Sequence, residues 1–381
     1  MRPWATPLVL LVLGLAAAVF AMRPPSPAQA NAAPGMFSAG RALADVRAIA
    51  QHPHPIGSTE SAKVQAYLLD RMAGLGLQPQ PRPFTGDQGS GRNLLGVLPG
   101  RDRQAPAVLL MAHYDSVPTG PGAADDGAGV ATVLETVRAL QTAPRQRDVM
   151  VLLTDGEEPG LFGSKTFFGS DPARAHVGVV INLEARGDRG RAVMFETNRN
   201  AAPLIHALVD ADALVGASAL MPDLYRRLPN DTDLTEALRH GYAGLNFAFF
   251  GGLDAYHRPS DTPERLDPGS LQHMGEQVLR AASALARAPS LPGRAPDQPY
   301  ADILGGPVLQ YPNVVGWTLV ALAGAGLAAY AVRLATRGRL NLAGVAAGAL
   351  AFLGLILLLA IGLYALGMAR AQSAWRRSGA R

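Results

Sequence analysis

The sequence contains no cysteine. That absence excludes disulfides, thiolate metal ligands and a cysteine nucleophile, so any metal here must sit on histidine and carboxylate. Lysine is almost absent too, with Lys63 and Lys165 in an otherwise all-arginine basic set. Acidic residues are missing from both ends of the chain, where Arg2, Arg23, Arg333, Arg337, Arg339, Arg370, Arg376, Arg377 and Arg381 lie. Removing these nine arginines from the formal charge of +4 leaves residues 24–332 at −5. A mildly acidic body argues against a phosphate-binding surface and a nucleic-acid partner. No internal repeat is visible, and 381 residues allow one large domain or two small ones.

The ends are apolar instead. Residues 3–22 are uncharged, about the length that spans a hydrocarbon core of roughly 30 Å. Ala28-Gln29-Ala30 offers a small-x-small cleavage site of the kind that follows a secretory signal. The long apolar stretch, and Arg23-Pro24-Pro25 between it and that site, favour an uncleaved anchor, so residues 1–30 are an anchor or signal segment. Residues 303–332, apolar from Val314 onward, and 340–369 are also uncharged and of spanning length. They predict two transmembrane helices within 314–369, followed by a basic tail over 370–381. Arg333, Arg337 and Arg339 between them suggest a cytoplasmic hairpin, which puts residues 24–313 on the extracytoplasmic side, periplasmic or extracellular. The arginines of the tail pull the other way, because with three spans the tail also emerges outside.

Between the ends, residues 37–76 read as two helices separated by HPHPIGST, with Ser58 or Thr59 capping the second. Strands are predicted at 93–98, 107–112, 149–154, 178–184, 192–196 and 245–250, and helices at 127–140, 161–168, 201–214 and 268–286. This alternation implies an α/β sandwich around a largely parallel sheet. Ligands of such sheets gather outside the carboxyl ends of the strands. Residues 289–313, rich in proline and glycine, read as a linker.

Five segments carry chemistry: HYD at 113–115, GAADDGAG at 122–129, DGEEPGLFGS at 155–164, NLEARG at 182–187 and AYHRPSD at 255–261. His113 and Asp115 stand two apart at a strand end and share one face, so the carboxylate can orient the imidazole as a metal ligand. Adjacent carboxylates at Asp125 and Asp126 repel unless a cation compensates, although a helix N-cap explains one of them equally well. Of Glu157 and Glu158, one suits a metal and the other a proton taken from water, while an acidic pair also suits a helix start. Glu184 ends an apolar strand, where a lone carboxylate is costly unless paired or metal-bound. His257 follows the last strand. His52 and His54 sit in a proline-rich turn, and His176, His206, His240 and His273 have no acidic doublet nearby and read as structural.

Taken in order, HxD, GxxDDGxG, EExGLxGS, NxE and YH resemble the di-zinc exopeptidase family that contains bacterial leucyl aminopeptidases and glutamate carboxypeptidase II. The resemblance covers residues 37–288. It is nearest to the membrane-anchored branch typified by endoplasmic reticulum metallopeptidase, which shares HPxGS, NLEA and terminal membrane segments. It implies a three-layer α/β/α sandwich with a mostly parallel mixed sheet, zinc aminopeptidase-like, plus transmembrane helices at both ends. It also implies two zinc ions, one on His113, Asp125 and Glu184 and the other on Asp125, Glu158 and His257. Glu157 then matches the general base, Asp115 the group that orients His113, and Tyr256 a hydroxyl that stabilises the tetrahedral intermediate. A cis peptide is implied where Asp126 follows the shared aspartate. Glu184 stands where many soluble aminopeptidases have aspartate, which marks the membrane branch. The implied partners are a peptide substrate and the lipid bilayer, and the implied activity is foremost that of an aminopeptidase. A carboxypeptidase, a glutaminyl-cyclase-like acyltransferase, a hydrolase of non-peptide amides and a non-enzymatic receptor-like relative stay open at this point. Arg186, Asn198 and Arg199 are candidates to meet a substrate carboxylate. The sequence leaves the oligomeric state open.

Overall fold

The computed structural model describes residues 23–378 except 87, 88 and 215, together with a few positions between 9 and 21. Helix α1 (Ala39–Ile49) starts at Ser38, whose side chain accepts from the Arg41 N–H. Helix α2 (Thr59–Gly74) starts at Ser58, which does the same for Ser61. There follow β1 (Gln80–Gly86), β2 (Gly89–Leu98), β3 (Ala107–His113), α3 (Gly127–Leu140), β4 (Val149–Thr154) and α4 (Phe162–Ser170). Next come β5 (Val177–Ala185), β6 (Val193–Thr197), α5 (Ala202–Asp210), α6 (Leu220–Tyr225), α7 (Asp233–Arg239), β7 (Ala243–Phe249) and α8 (Pro268–Arg287). A short hairpin, β8 (Tyr300–Asp302) and β9 (Val308–Gln310), closes this unit.

Strands β1 to β7 form one sheet in the order β1-β2-β4-β3-β5-β7-β6. β3 pairs in parallel with β4 and β5, and β5 with β7, while β1, β2 and β6 are antiparallel additions at the sides. The four central strands therefore end along one edge. Every residue of β3 and β4 is buried, as expected of strands covered on both faces. Alternate residues serve opposite layers. Val108 and Leu110 pack with Val46, Leu134 and Val278 from α1, α3 and α8, whereas Leu109 and Met111 pack with Phe167, Phe168 and Leu234 from α4 and α7. This is the three-layer α/β/α arrangement.

Several segments differ from the sequence expectation, among them the short helices α6 and α7, where no element was expected. β1 went unread because Pro81 and Pro83 interrupt it, yet it lies at the sheet edge, where a strand can do without donors on one side. Residues 289–313 are not a bare linker: Tyr300 and Val308 are buried in the main core, and the hairpin turns at Leu304 and Gly305, both at positive φ. The first compact unit accordingly runs to Asn313.

The second unit, from Val314 on, holds most of α9 (Asn313–Thr336) and all of α10 (Leu342–Ser378). Among the described residues α9 is the one helix long and apolar enough to cross a membrane, with a mean hydropathy of 1.7 over its most apolar 18 residues. In α10 the described apolar stretch is Leu342–Leu358, and most side chains beyond it lie outside the described residues. Most of the expected N-terminal membrane segment also lies outside them, so a span at both ends is not seen here.

Candidate active site

The parallel centre of the sheet explains how residues far apart in sequence meet. His113 is the last residue of β3, Glu184 sits near the end of β5, Glu157 and Glu158 follow β4, and His257 follows β7. Asp125 lies in the turn before α3, and Asp126, whose side chain accepts from the Gly129 N–H, caps that helix. The Asp125–Asp126 peptide is cis, as the resemblance implied.

One carboxylate is central. His113 Nε2 lies 3.4 Å from Asp125 Oδ1 and 4.0 Å from Glu184 Oε2. On the other side, His257 Nε2 lies 3.2 Å from Asp125 Oδ2 and 3.0 Å from Glu158 Oε2. Both imidazole Nε2 atoms are buried without a hydrogen-bond partner, as is Glu158 Oε1. Buried polar atoms are rarely left unpaired, so lone pairs converging in this way suit a cation. His113, Asp125 and Glu158 offer ligand atoms all within 4.8 Å of one another. The two imidazoles differ in exposure: the His113 side chain is 1% exposed and that of His257 38%.

Electrostatics match the crowding. Burial pushes Glu184 up to about 8, with the charges of Asp125 and Asp233 adding and those of His113 and Arg186 opposing. Burial likewise holds Glu157 well above the usual carboxylate range, eased by His113 and reinforced by Glu184, Asp233 and Glu158. Burial would raise Asp125 as well, but the facing imidazoles keep it low. Burial disfavours the charged form of His257, yet Asp125 and Glu158 raise it to about 9.

Asp115 acts more widely than expected. Its backbone carbonyl lies 3.0 Å from His113 Nδ1, while its Oδ1 is 3.5 Å from that nitrogen and accepts the Glu157 N–H at 3.0 Å. Its Oδ2 accepts the Glu158 N–H at 3.3 Å. The aspartate thus fixes the glutamate turn as well as the imidazole. Tyr256 stacks on His257, with ring centroids 3.8 Å apart, and the Arg186 guanidinium lies 5.2 Å from the Tyr256 centroid.

The model of peptidase family M28 matches residues 93–282, a stretch that contains every residue of this cluster. The chain belongs to that family. Over 255 residues it is 32% identical to the vacuolar membrane protease of Schizosaccharomyces pombe, which covers 61% of this chain and 30% of that protein. Over 233 residues it is 31% identical to endoplasmic reticulum metallopeptidase 1 of Mus musculus, covering 59% of this chain and 26% of that one. The matched region is thus less than a third of the length of either relative. In fold, the aminopeptidase from Aneurinibacillus sp. strain AM-1 is similar with a TM-score of 0.57 at 15% identity, covering 69% of this chain and 98% of that one. The glutaminyl cyclase of Fimbriiglobus ruber is similar with a TM-score of 0.53 at 21% identity, covering 68% and 98%. Because both folds fit, the likeness fixes the architecture and leaves the chemistry to the site.

The M28 domain also uses residues that the sequence reading passed over. Asp261 accepts the N–H groups of Ala124 and Asp125 at 2.8 and 3.2 Å, which holds the Asp125 turn in place. Asn182, two residues before Glu184 and so on the same face of β5, donates to Glu184 Oε1 at 3.2 Å and to Asn246 Oδ1 at 3.1 Å. Asn246 passes the chain on to Glu196 and Thr232. Asp233, the first residue of α7, is buried and accepts from the Thr154 hydroxyl. The segment AYHRPSD and the motif NLE held Asp261 and Asn182 in plain view, whereas Asp233 and Asn246 carried no such signal. His176, His206, His240 and His273 contact other groups away from the cluster, and His54 braces the Ser116 backbone.

Proposed function

We propose that the chain is a membrane-anchored, zinc-dependent exopeptidase that hydrolyses peptide bonds with two metal ions, foremost as an aminopeptidase. The observation that carries this reading is the pair of buried imidazole nitrogens, His113 Nε2 and His257 Nε2, that make no hydrogen bond yet face the two oxygens of Asp125 at 3.4 and 3.2 Å. In this reading His113, Asp125 and Glu184 hold one ion, and Asp125, Glu158 and His257 the other, with no protein sulfur involved. Two zinc ions, when bound, supply Lewis acidity toward the scissile carbonyl and lower the pKa of the attacking water.

The protein's own part is to hold and move a proton. Glu157 takes it from water as the new carbon–oxygen bond forms and delivers it to the amine nitrogen as the carbon–nitrogen bond breaks. Its environment suits that task, since burial and three neighbouring carboxylates make it a stronger base than an exposed glutamate, and bound cations would lower it again in part. Asp115 sets the distance between His113 and the Glu157 turn through its three contacts. Burial raises the Tyr256 hydroxyl above its ordinary value, which keeps it protonated and able to donate to a developing oxyanion.

One observation favours a second reading for specificity. Arg186 is half-buried, rests over Tyr256, and has no carboxylate within ion-pair distance among the described residues, so it is free to receive a substrate carboxylate as in a carboxypeptidase. A panel of free-amine, N-blocked and C-amidated peptides with added zinc separates the two. Cleavage that requires the free amine supports the aminopeptidase, and cleavage that requires the free carboxylate supports the carboxypeptidase. Zinc-loaded protein that cleaves none of them, but cyclises N-terminal glutamine, would replace hydrolysis by acyl transfer.

A further inference from the structure

Residues 23–32 lead from the apolar N-terminal segment to α1, and together with Ala21 they are fastened to the domain by contacts that a discarded leader does not need. The buried side chain of Gln272, on α8, accepts from the Ala28 N–H at 3.0 Å and the Ala39 N–H at 2.9 Å, and donates to the Phe37 carbonyl at 3.1 Å. The Ala28 carbonyl accepts from the Gly40 N–H at 3.0 Å and the Ser38 hydroxyl at 3.2 Å, and the Gln29 carbonyl takes the same hydroxyl at 2.8 Å. Arg41, paired with the buried Glu135, donates to the carbonyls of Ala30 and Ala32 at 2.8 Å each. Further upstream, Arg191 donates to the Ala21 carbonyl at 3.1 Å and to the carbonyl of Gly305 in the β8–β9 turn, with His273 Nε2 at 2.9 Å.

Glycines in two helix first turns give an independent sign, and a third, Gly305, whose positive φ favours glycine in any case, lies against the same path. Gly40 lies in the first turn of α1, where a Cβ would meet Ala30 N at 2.8 Å and Ala28 O at 3.2 Å. Gly269, in the first turn of α8, leaves room for the Pro25 carbonyl, which a Cβ would meet at 2.6 Å. At Gly305 a Cβ would meet the Ala21 carbonyl at 2.7 Å. Glycine is a poor helix former, so its use in two helix first turns, both facing the same length of chain, points to a segment that stays.

We propose that residues 23–32, with Ala21 before them, are a permanent strap of the folded domain, and that Ala28-Gln29-Ala30 is not a processing site. The apolar segment before the strap then remains attached, and the domain is tied to the bilayer through that segment as well as through α9. Arg191 joins the two chain paths, since it grips Ala21 on one and Gly305, shortly before α9, on the other. Loss of residues 1–30 would strip Gln272, Ser38 and Gly40 of partners and open grooves beside α1 and α8.

Intact mass and N-terminal sequencing of the full chain purified from membranes test this first. A mature N-terminus upstream of Ala21 is expected, and a chain that begins at Asn31 overturns the proposal. The second measurement is the melting temperature in detergent of two full-length variants. Gly74→Ala, at a helical site with open space around the new methyl, is expected to hold or raise Tm. Gly40→Ala is expected to lower it by several degrees, because the new methyl displaces the strap. A Gly40→Ala variant as stable as Gly74→Ala shows that the strap is not part of the fold.

Discussion

Glu157 and Glu158 are chemically identical neighbours that the fold separates. Glu158 has an oxygen 3.0 Å from His257, while the Glu157 N–H rather than its carboxylate is tied to Asp115. Replacing Glu157 by glutamine keeps size and polarity but removes the base. We expect Glu157→Gln to lower kcat on the order of 10³-fold, the usual scale for a general base, with zinc content by metal analysis unchanged. In the proposed site both ligand sets share Asp125, so Asp125→Asn should instead lose both ions, and normal zinc stoichiometry in this variant would break the two-ion reading. Proton release gives a third check. His257 at about 9 and Glu184 at about 8 hold protons that a bound cation must displace, so zinc affinity by calorimetry should rise between pH 6 and pH 8. A flat profile would show that these groups are not ligands.

At the level of elements, the parallel strands are what make the site. Their apolar runs were readable because a strand covered on both faces leaves a continuous hydrophobic signature, as in β3 and β4. Of the edge strands, β6 was readable at 192–196 but β1 was not, since Pro81 and Pro83 mask it, and the β8–β9 hairpin spends only Tyr300 and Val308 on the core. A similar division holds in the site. Metal-type residues announce themselves in pairs and at strand ends, whereas supporting residues act by accepting backbone N–H groups or by reaching across the sheet, which leaves no periodicity in sequence. Asp261 illustrates the cost of missing one. Asp261→Ala removes both acceptors that hold the Asp125 turn, and we expect zinc affinity to weaken by about 10- to 100-fold, with activity recovering at saturating zinc. Unchanged affinity would reduce Asp261 to a bystander.

For the molecule as a whole, charge and membrane attachment set the testable behaviour. Glu184 at about 8, and Asp155 and Asp261 at about 7, are raised above ordinary carboxylates, mainly by burial. Groups shifted in this direction stabilise the fold below their unfolded values, and that contribution disappears as pH rises through the folded ones. The chelated protein should therefore melt at a lower temperature at pH 8 than at pH 6. Added zinc should flatten this slope, and thermal scans with and without chelator measure both. The outward placement of the domain, proposed from the arginines around the hairpin, is tested by alkaline-phosphatase fusions after residues 300, 336 and 381. An inactive fusion at 300 would place the domain on the cytoplasmic side.

The unequal burial of the two imidazoles has a consequence in time. Both Nε2 atoms are buried, but the His113 side chain is 1% exposed and is held in the core, whereas the His257 ring is 38% exposed and needs only a local movement of its own loop to open its ion to solvent. In the proposed two-ion site zinc should then leave in two kinetic phases, the fast one from the His257 side, so that brief chelation would yield a half-loaded protein whose first ion is replaceable by cobalt or manganese while the second stays put.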